Sequence, residues 1–112
     1  MLRPSEIDAL VQGIVARTDP ETVIVFGSYA KGNATSTSDL DLLLIRQTDE
    51  APARRADAVR PLLASLLVRV DVHVYTLAEI AAYRADPLSF ISSVLRTGRI
   101  AYQRGDSRSF IT

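Results

Sequence analysis

Three short apolar runs set the architecture that this chain can adopt. Residues 22–26 form a β-branched run without charge, and residues 39–45 alternate aspartate with leucine before becoming wholly apolar. Residues 68–75 place valine at every second position, which is the period of a half-buried strand. Short runs that are rich in β-branched residues favour strands over helices. We therefore expect three strands here, the first of them buried on both faces.

Helical patterns fill the intervals between these runs. Ser5 and Asp8 resemble a capping box, and apolar residues then recur at helical spacing until the Asp-Pro pair at 19–20, which predicts the end of the helix. Residues 49–67 are rich in Ala, Arg and Leu and predict a long helix. Pro61 lies inside that segment, and we expect it to kink or split the helix.

The last third of the chain predicts two more helices and a final strand. Thr and Glu at the ends of residues 76–79 form a capping box, which opens a helix to about residue 83. The Asp-Pro pair at 86–87 predicts the N-cap of another helix, and Gly98 predicts its end. Residues 99–102 predict a short strand. The order is therefore helix, strand, loop, strand, helix, strand and helices.

Length and composition indicate one small globular domain. The 112 residues are 47% apolar and 23% charged, and we assign the domain to residues 1–102 and a flexible tail to 103–112. Acids and bases balance at 13 each, which gives no support for nonspecific nucleic-acid or membrane binding. The absence of cysteine excludes disulfides and thiolate chemistry. Without a membrane-length apolar run or signal-peptide pattern, we expect a cytoplasmic protein.

Five polar or flexible positions coincide with the ends and faces of the predicted strands. Gly27 and Ser28 end the first strand, and ten residues separate Ser28 from Asp39. Asp39 and Asp41 open the second strand on one face, and Asp71 lies on the polar face of the third. A chance match to Gly-Ser and Asp-x-Asp is on the order of one in a thousand for such a chain.

This set of residues is suited to phosphoryl chemistry. Gly27 allows a tight bend and a close approach of phosphate, and Ser28 lies where a helix would begin, so that free amides favour an anion. Asp39 and Asp41 have the spacing to bind a pair of Mg²⁺ ions, which prefer carboxylate oxygens. Asp71 would complete the metal site and lie near an attacking hydroxyl, whose proton it could take.

Each of these residues also has a purely structural interpretation. Asp39 and Asp41 could form a polar strand edge, although acids between leucines of a buried strand argue against it. Gly27 and Ser28 could be a simple turn that caps a helix. Asp71 could form a surface ion pair with Arg69 or Arg46.

For three neighbouring residues the sequence leaves two roles open. Lys31, the single lysine, could bind a phosphate as a point charge or be a solvated turn residue. Tyr29 could stack on a base or be an exposed loop aromatic. His73 shares a strand face with Asp71, but a lone histidine favours a hydrogen-bonded structural role over a site role.

The motif formed by Gly27, Ser28, Asp39 and Asp41 resembles the signature of the DNA polymerase β-like nucleotidyltransferases, and most closely their minimal nucleotidyltransferase (MNT) branch. That branch includes antitoxins paired with HEPN-type ribonuclease toxins. The resemblance implies an α/β (α+β) fold with a small mixed sheet flanked by helices. It also implies a Mg²⁺-dependent reaction of a nucleoside triphosphate, with Asp71 as the third metal ligand and Gly27 and Ser28 on the triphosphate.

The resulting hypothesis is transfer of AMP from ATP to a hydroxyl, with two Mg²⁺ ions. The resemblance implies a HEPN-type toxin as partner and this chain as its antitoxin. A tyrosine is expected as the acceptor, because its phenol has a pKa near 10 and a metal ion deprotonates it more readily than an aliphatic alcohol. Two alternatives stay open from sequence: nucleotidylation of a small molecule such as an antibiotic, and an antitoxin that acts by binding alone. A homo-oligomer is also compatible with the sequence.

Overall fold

Four strands form one mixed sheet, and helices cover both of its faces. The computed structural model describes residues 1–105 and orders the strands β3-β2-β1-β4. The strands are β1 (Thr22–Phe26), β2 (Leu40–Ile45), β3 (Val70–Tyr75) and β4 (Arg99–Gln103). The helices are α1 (Pro4–Thr18), α2 (Ser28–Lys31), α3 (Arg60–Leu63), α4 (Leu77–Tyr83) and α5 (Phe90–Thr97), with a 3₁₀ turn at Pro52–Arg54. The predicted fold class is confirmed.

The central pair of strands determines the register of the sheet. β1 and β2 are antiparallel, β2 and β3 are parallel, and β4 runs antiparallel to β1 on its other side. Phe26 is the cross-strand partner of Asp41, and Asp41 is in turn the partner of Asp71. One row across the sheet therefore carries an aromatic ring and two carboxylates, all at the same end of the strands.

Alternation along β2 divides the apolar core between the two faces of the sheet. Leu40, Leu42 and Leu44 pack into the cluster that includes α1, whereas Leu43 and Ile45 pack into the cluster that includes α4 and α5. All five side chains are fully buried. Because side chains alternate, Asp41 lies on the α4/α5 face. None of the helices within residues 1–105 has the length and apolarity needed to cross a bilayer.

The first helix has the predicted extent but a different N-cap. Arg3 is the N-cap residue, and its backbone N–H donates to the carboxylate of Glu6 at 2.8 Å, so the prediction of a box at Ser5 and Asp8 was wrong. Proline at the first helical position fixes the start one residue before Ser5. At the other end Asp19 adopts a left-handed conformation with φ 46°, and the helix ends where predicted.

The predicted long helix over residues 49–67 was wrong. The segment consists of the 3₁₀ turn, irregular turns and the four-residue α3, with Pro61 in the first turn of α3. Pro52 likewise begins the 3₁₀ turn. A proline has no N–H to donate to the preceding turn, so each of the two restricts the chain to a helix start at its own position.

The late helices confirm one predicted start and correct the other. Thr76 caps α4 in a reciprocal box with Glu79, as predicted. α5 begins after Ser89, whose hydroxyl accepts the backbone N–H of Ser92, so the predicted N-cap at Asp86 was wrong. Asp86 instead accepts the backbone N–H of Leu88 within a local turn.

The end of the domain extends slightly beyond the predicted boundary. Gly98 ends α5 as predicted, and β4 continues to Gln103, one residue into the segment assigned as a tail. Arg104 then pairs with Glu21 at 3.1 Å, which holds the chain against β1. The remainder of the predicted tail, residues 106–112, lies outside the described residues.

A half-buried ion pair joins the irregular segment before β3 to α4. Arg55, of which only 10% of the side chain is exposed, donates from Nη1 to Glu79 Oε1 at 2.6 Å and from Nη2 to Oε2 at 3.2 Å. It also donates to the carbonyls of Glu50 and Val74. The hydrogen bonds from Arg55 are the main reason that the pKa of Glu79 lies below its usual value of 4.5.

Removing the charge of Glu79 tests how much the Arg55–Glu79 pair contributes to the stability of the fold. Glu79→Gln keeps the capping box, since glutamine can accept the Thr76 N–H, but it removes the charge-assisted bonds. We expect a loss of about 1–2 kcal/mol in unfolding free energy at pH 7. Because folding lowers the pKa of Glu79, its charged form stabilises the fold above pH 4.5, and this stabilisation is lost as the pH falls through the lowered pKa. The difference in unfolding free energy between wild type and Glu79→Gln should therefore shrink in acid. Urea unfolding of both proteins at pH 7 and in acid measures the difference in unfolding free energy.

The control is Glu50→Gln, at an exposed residue whose pairing with Arg46 is longer, 3.5 Å. An exposed pair of this kind contributes little, so this variant should unfold nearly as the wild type does. Equal losses in the two variants would contradict a special role for the Arg55–Glu79 pair.

Candidate active site

The parallel pairing of β2 with β3 brings two of the three predicted aspartates together. Asp41 and Asp71 are direct cross-strand partners, and adjacent strands lie roughly 4.8 Å apart. Asp39 immediately precedes β2 and is partly exposed. The three aspartates therefore cluster at the end of β2 and β3, on the face that α4 and α5 only partly cover.

Negative charge accumulates around Asp41. Burial raises the pKa of Asp41, and the charges of Asp71 and Asp39 raise it further, while His73 opposes them. Within residues 1–105 no hydrogen bond or ion pair reaches the Asp41 carboxylate. A cation next to Asp41 would relieve this unbalanced charge, and carboxylate oxygens are the ligands that Mg²⁺ prefers.

Asp71 is held differently in the structure. Its Oδ1 accepts from Nε of Arg69 at 3.1 Å, which is one of the ion pairs that the sequence left open as an alternative. Correspondingly, the described part of the chain contains no group of three His, Asp or Glu side chains that could hold a metal ion as placed. The residues are of the right chemical type for Mg²⁺, but Oδ1 of Asp71 is held by Arg69, so that Asp71 would bind the ion through Oδ2 or after a shift of its side chain.

Gly27 is required by a contact that the sequence did not reveal. Its φ of 72° is one that L side chains rarely adopt. A Cβ at this position would collide with Oδ2 of Asp41. The turn after β1 therefore lies directly against the Asp41 carboxylate, and any other residue would have to displace that carboxylate as well as adopt the unfavourable φ.

Ser28 begins α2 with unused hydrogen-bond donors. Across residues 1–105 the backbone N–H groups of Ser28 and Tyr29 have no protein acceptor, and the Ser28 hydroxyl makes no hydrogen bond. They are thus free to bind an anion that lies over the Asp41 end of the sheet. Lys31, at the end of α2, is exposed and makes no ion pair in the described part of the chain.

Tyr29 is engaged within the fold, which contradicts one of its two predicted roles. Its hydroxyl accepts the backbone N–H of Leu2 at 3.0 Å, and its ring packs against the α1 side of the core. A residue so engaged is not an exposed loop aromatic. It links the N-terminus to the start of α2 and so supports the turn that contains Gly27.

His73 belongs to an aromatic cluster that sequence reasoning missed. Its ring centroid lies 5.6 Å from that of Phe26 and 5.3 Å from that of Phe90. No hydrogen bond involves the imidazole within residues 1–105, although a hydrogen-bonded role was predicted. The sequence could have placed Phe26 near the site, because Phe26 directly precedes Gly27 and lies on the same face of the sheet as Asp41. Phe90 carries no such signal, because its position depends on where α5 begins.

A turn with free amides beside clustered carboxylates, on a mixed sheet, is the arrangement of an enzyme that transfers nucleotides. Residues 9–107 match the family described as polymerase beta, nucleotidyltransferase. The chain therefore belongs to this family, as the motif predicted, and is a nucleotidyltransferase. A relative from Methanocaldococcus jannaschii, named as a putative protein adenylyltransferase, is 33% identical over 82 residues, or 71% of this chain and 76% of the relative.

Solved structures share the fold. A putative nucleotidyltransferase from Sulfolobus solfataricus superposes with a TM-score of 0.62 at 20% identity, covering 89% of this chain and 79% of that one. A toxin–antitoxin structure with AMP-PNP gives 0.64 at 17% identity, covering 93% and 80%. A mutant of the toxin–antitoxin MntA-HpeT gives 0.62 at 17% identity, covering 98% and 82%.

Two glycine variants test whether the Gly27 contact supports nucleotide binding. Gly27→Ala should weaken Mg·ATP binding at least about tenfold, because the new Cβ displaces the Asp41 carboxylate, and should also destabilise the fold by about 1–3 kcal/mol. Gly32→Ala is the control for a methyl group added at a glycine of positive φ, 76°, where the Cβ meets nothing within 4 Å. Its backbone is left-handed helical with ψ 16°, whereas Gly27 has ψ −151°, so the comparison is made on affinity rather than on stability. Isothermal titration calorimetry should find near wild-type affinity for Gly32→Ala. Equal affinities in the two variants would contradict the contact's role.

Proposed function

We propose that this nucleotidyltransferase transfers AMP from ATP to a tyrosine of a HEPN-type ribonuclease toxin and thereby acts as its antitoxin. The observation that carries the proposal is the placement of the Asp41 carboxylate, which lies against the Gly27 turn on one side and beside Asp71 on the other. A triphosphate at the turn and an acceptor at Asp71 would then meet over Asp41.

The nucleotide site is assigned to the turn and the carboxylates that face it. The free N–H groups of Ser28 and Tyr29 would hold the triphosphate, with Lys31 as a nearby positive charge. Asp39, Asp41 and Asp71 would hold Mg²⁺. The main support for this assignment is the unbalanced negative charge at Asp41. Bound Mg²⁺ would neutralise the triphosphate and favour ionisation of the acceptor hydroxyl.

The reaction is an in-line displacement. The acceptor oxygen forms a bond to the α-phosphorus of ATP, and the bond from that phosphorus to the oxygen bridging the β-phosphate breaks, so that pyrophosphate leaves. The proton of the acceptor hydroxyl passes to the carboxylate of Asp71, which lies on the outermost strand and is open to an incoming chain. A phenol suits this step, because its pKa near 10 is lower than that of an aliphatic alcohol.

Two similarities support a protein acceptor over a small molecule. The Methanocaldococcus jannaschii relative is named for adenylylation of proteins. Two of the structures with this fold are toxin–antitoxin assemblies, and one of them contains AMP-PNP, an analogue of ATP. The negative charge and bulk of an attached AMP would block the toxin's RNA site.

Intact-mass analysis of the toxin tests the reaction. After incubation with this protein, ATP and Mg²⁺, the toxin should gain one or more AMP increments. Asp41→Asn and Asp71→Asn should each reduce the rate by about 100-fold or more, since each removes a charge at the reacting end of the sheet. Asp57→Asn is the control, because Asp57 pairs with Arg60 in the irregular segment before β3 and should leave the rate unchanged.

The alternatives give different results in the same experiment. If the toxin is inactive in a tight complex but never gains AMP, this chain is an antitoxin that acts by binding alone. Transfer to an aminoglycoside or another small hydroxyl compound, with none to the toxin, would show a small-molecule acceptor. Either result would contradict the proposal.

A further inference from the structure

The outer edge of β3 has backbone groups without partners. β3 is the last strand of the sheet and pairs only with β2 in the described part of the chain. The carbonyls of Arg69 and Tyr75 accept N–H groups from the β2 side, at 2.9 and 3.0 Å. Because successive residues of a strand direct their N–H and C=O to opposite sides, the backbone groups of Val70, Val72 and Val74 point away from the sheet.

Within residues 1–105, a single side chain forms a hydrogen bond to this edge. Nη1 of Arg55 donates to the carbonyl of Val74 at 3.3 Å. The N–H and C=O of Val72 and the N–H of Val74 have no protein partner within residues 1–105. An open edge of this kind is a template for another strand, since its unpaired groups repeat with the spacing of an extended chain.

Space for such a strand lies beside the edge. A cavity of about 350 Å³ is lined by residues 72–75 of β3 together with Arg55, Glu79 and Tyr83. A second cavity, of about 370 Å³, shares Tyr75 and Tyr83 with the first and continues to Phe90. The lining is mostly apolar or aromatic, the charges of Arg55 and Glu79 cancel, and Asp86 adds a further acid, so it offers little attraction to a polyanion such as RNA.

The edge also leads to the reacting carboxylates. Asp71 is the second residue of β3 and lies between Val70 and Val72, whose backbone groups face the open edge. A chain paired along the edge would carry its own side chains past Asp71 at one end and past Tyr75 at the other. Those two positions are on the same face and are separated by roughly 13 Å, at about 3.3 Å per residue.

We propose that the acceptor protein binds by adding an extended segment as a fifth strand on the open edge of β3, which carries the acceptor hydroxyl to Asp71. This proposal rests on the proposed function and names how its substrate is held. The segment should have an apolar side chain four residues from the acceptor, on the same face, to fill the cavity lined by Tyr75 and Tyr83.

Hydrogen exchange of single amides in the complex with the toxin, without nucleotide, tests the added strand. The amides of Val72 and Val74 should exchange freely in the isolated protein and become at least tenfold slower in the complex. The amides of Asp71 and His73 are the internal control, because they face β2 and should be slow in both states.

A proline variant gives a functional readout. Val72→Pro removes an N–H that faces the open edge, where a proline costs the sheet no ladder bond. The KM for the toxin should rise at least tenfold, while Mg·ATP affinity should stay at the wild-type value. Continued slow exchange of Asp71 and His73 would show that the sheet of the variant is intact.

The outcomes separate this inference from the proposed function. AMP transfer to the toxin without added protection at Val72 and Val74 would overturn the fifth strand and leave the function standing. Protection without transfer would support the strand and overturn the function, and absence of any complex would overturn both. Protection already present in the isolated protein, with the mass of a dimer, would show that a second copy occupies the edge and would overturn the proposal.

Discussion

The register of β2 between its two neighbours is the constraint on which the active end of this protein depends. It aligns Phe26, Asp41 and Asp71 in one row across three strands, and it places the turn at Gly27 directly against the central carboxylate. A slip of one residue would move Asp41 into the leucine core and expose a leucine in its place. The apolar alternation of β2 therefore determines both the packing of the core and the position of the site.

The charged form of Asp41 is unfavourable where it lies, and the rest of the fold has to offset this cost. Burial and two neighbouring acids disfavour the charged form of Asp41, His73 opposes them only in part, and within residues 1–105 no ion pair reaches its carboxylate. Stability at this end comes instead from fully buried side chains behind it, such as Leu42 and Leu43. Strain at functional positions that is offset elsewhere is common in enzymes. Here it leaves unbalanced negative charge where a cation and a triphosphate would bind.

The sequence predicted correctly the elements that depend on local patterns. It failed to predict segments in which several weak patterns compete. The strands, the box at Thr76 and the stop at Gly98 were predicted, since hydrophobic period and capping chemistry act over a few residues. Residues 49–67 have helical composition, but Pro52 and Pro61 outweigh it. Asp41 and Asp71 were identified as candidates, but their adjacency depends on strand pairing, which no local pattern specifies. The Arg69 contact of Asp71 is local to β3, and the sequence offered it as one of two interpretations without deciding between them.

The central claim is that the Gly27 turn and the row of carboxylates form one site for a nucleotide and its metal. A crystal structure with Mn²⁺ and a nonhydrolysable ATP analogue tests it most directly, because anomalous scattering locates the ion independently of the protein. The account predicts Mn²⁺ on Asp41 and Asp39, with an Asp71 carboxylate oxygen beside it and the triphosphate on the N–H groups that begin α2. An analogue bound elsewhere, or a metal peak away from Asp41, would contradict it.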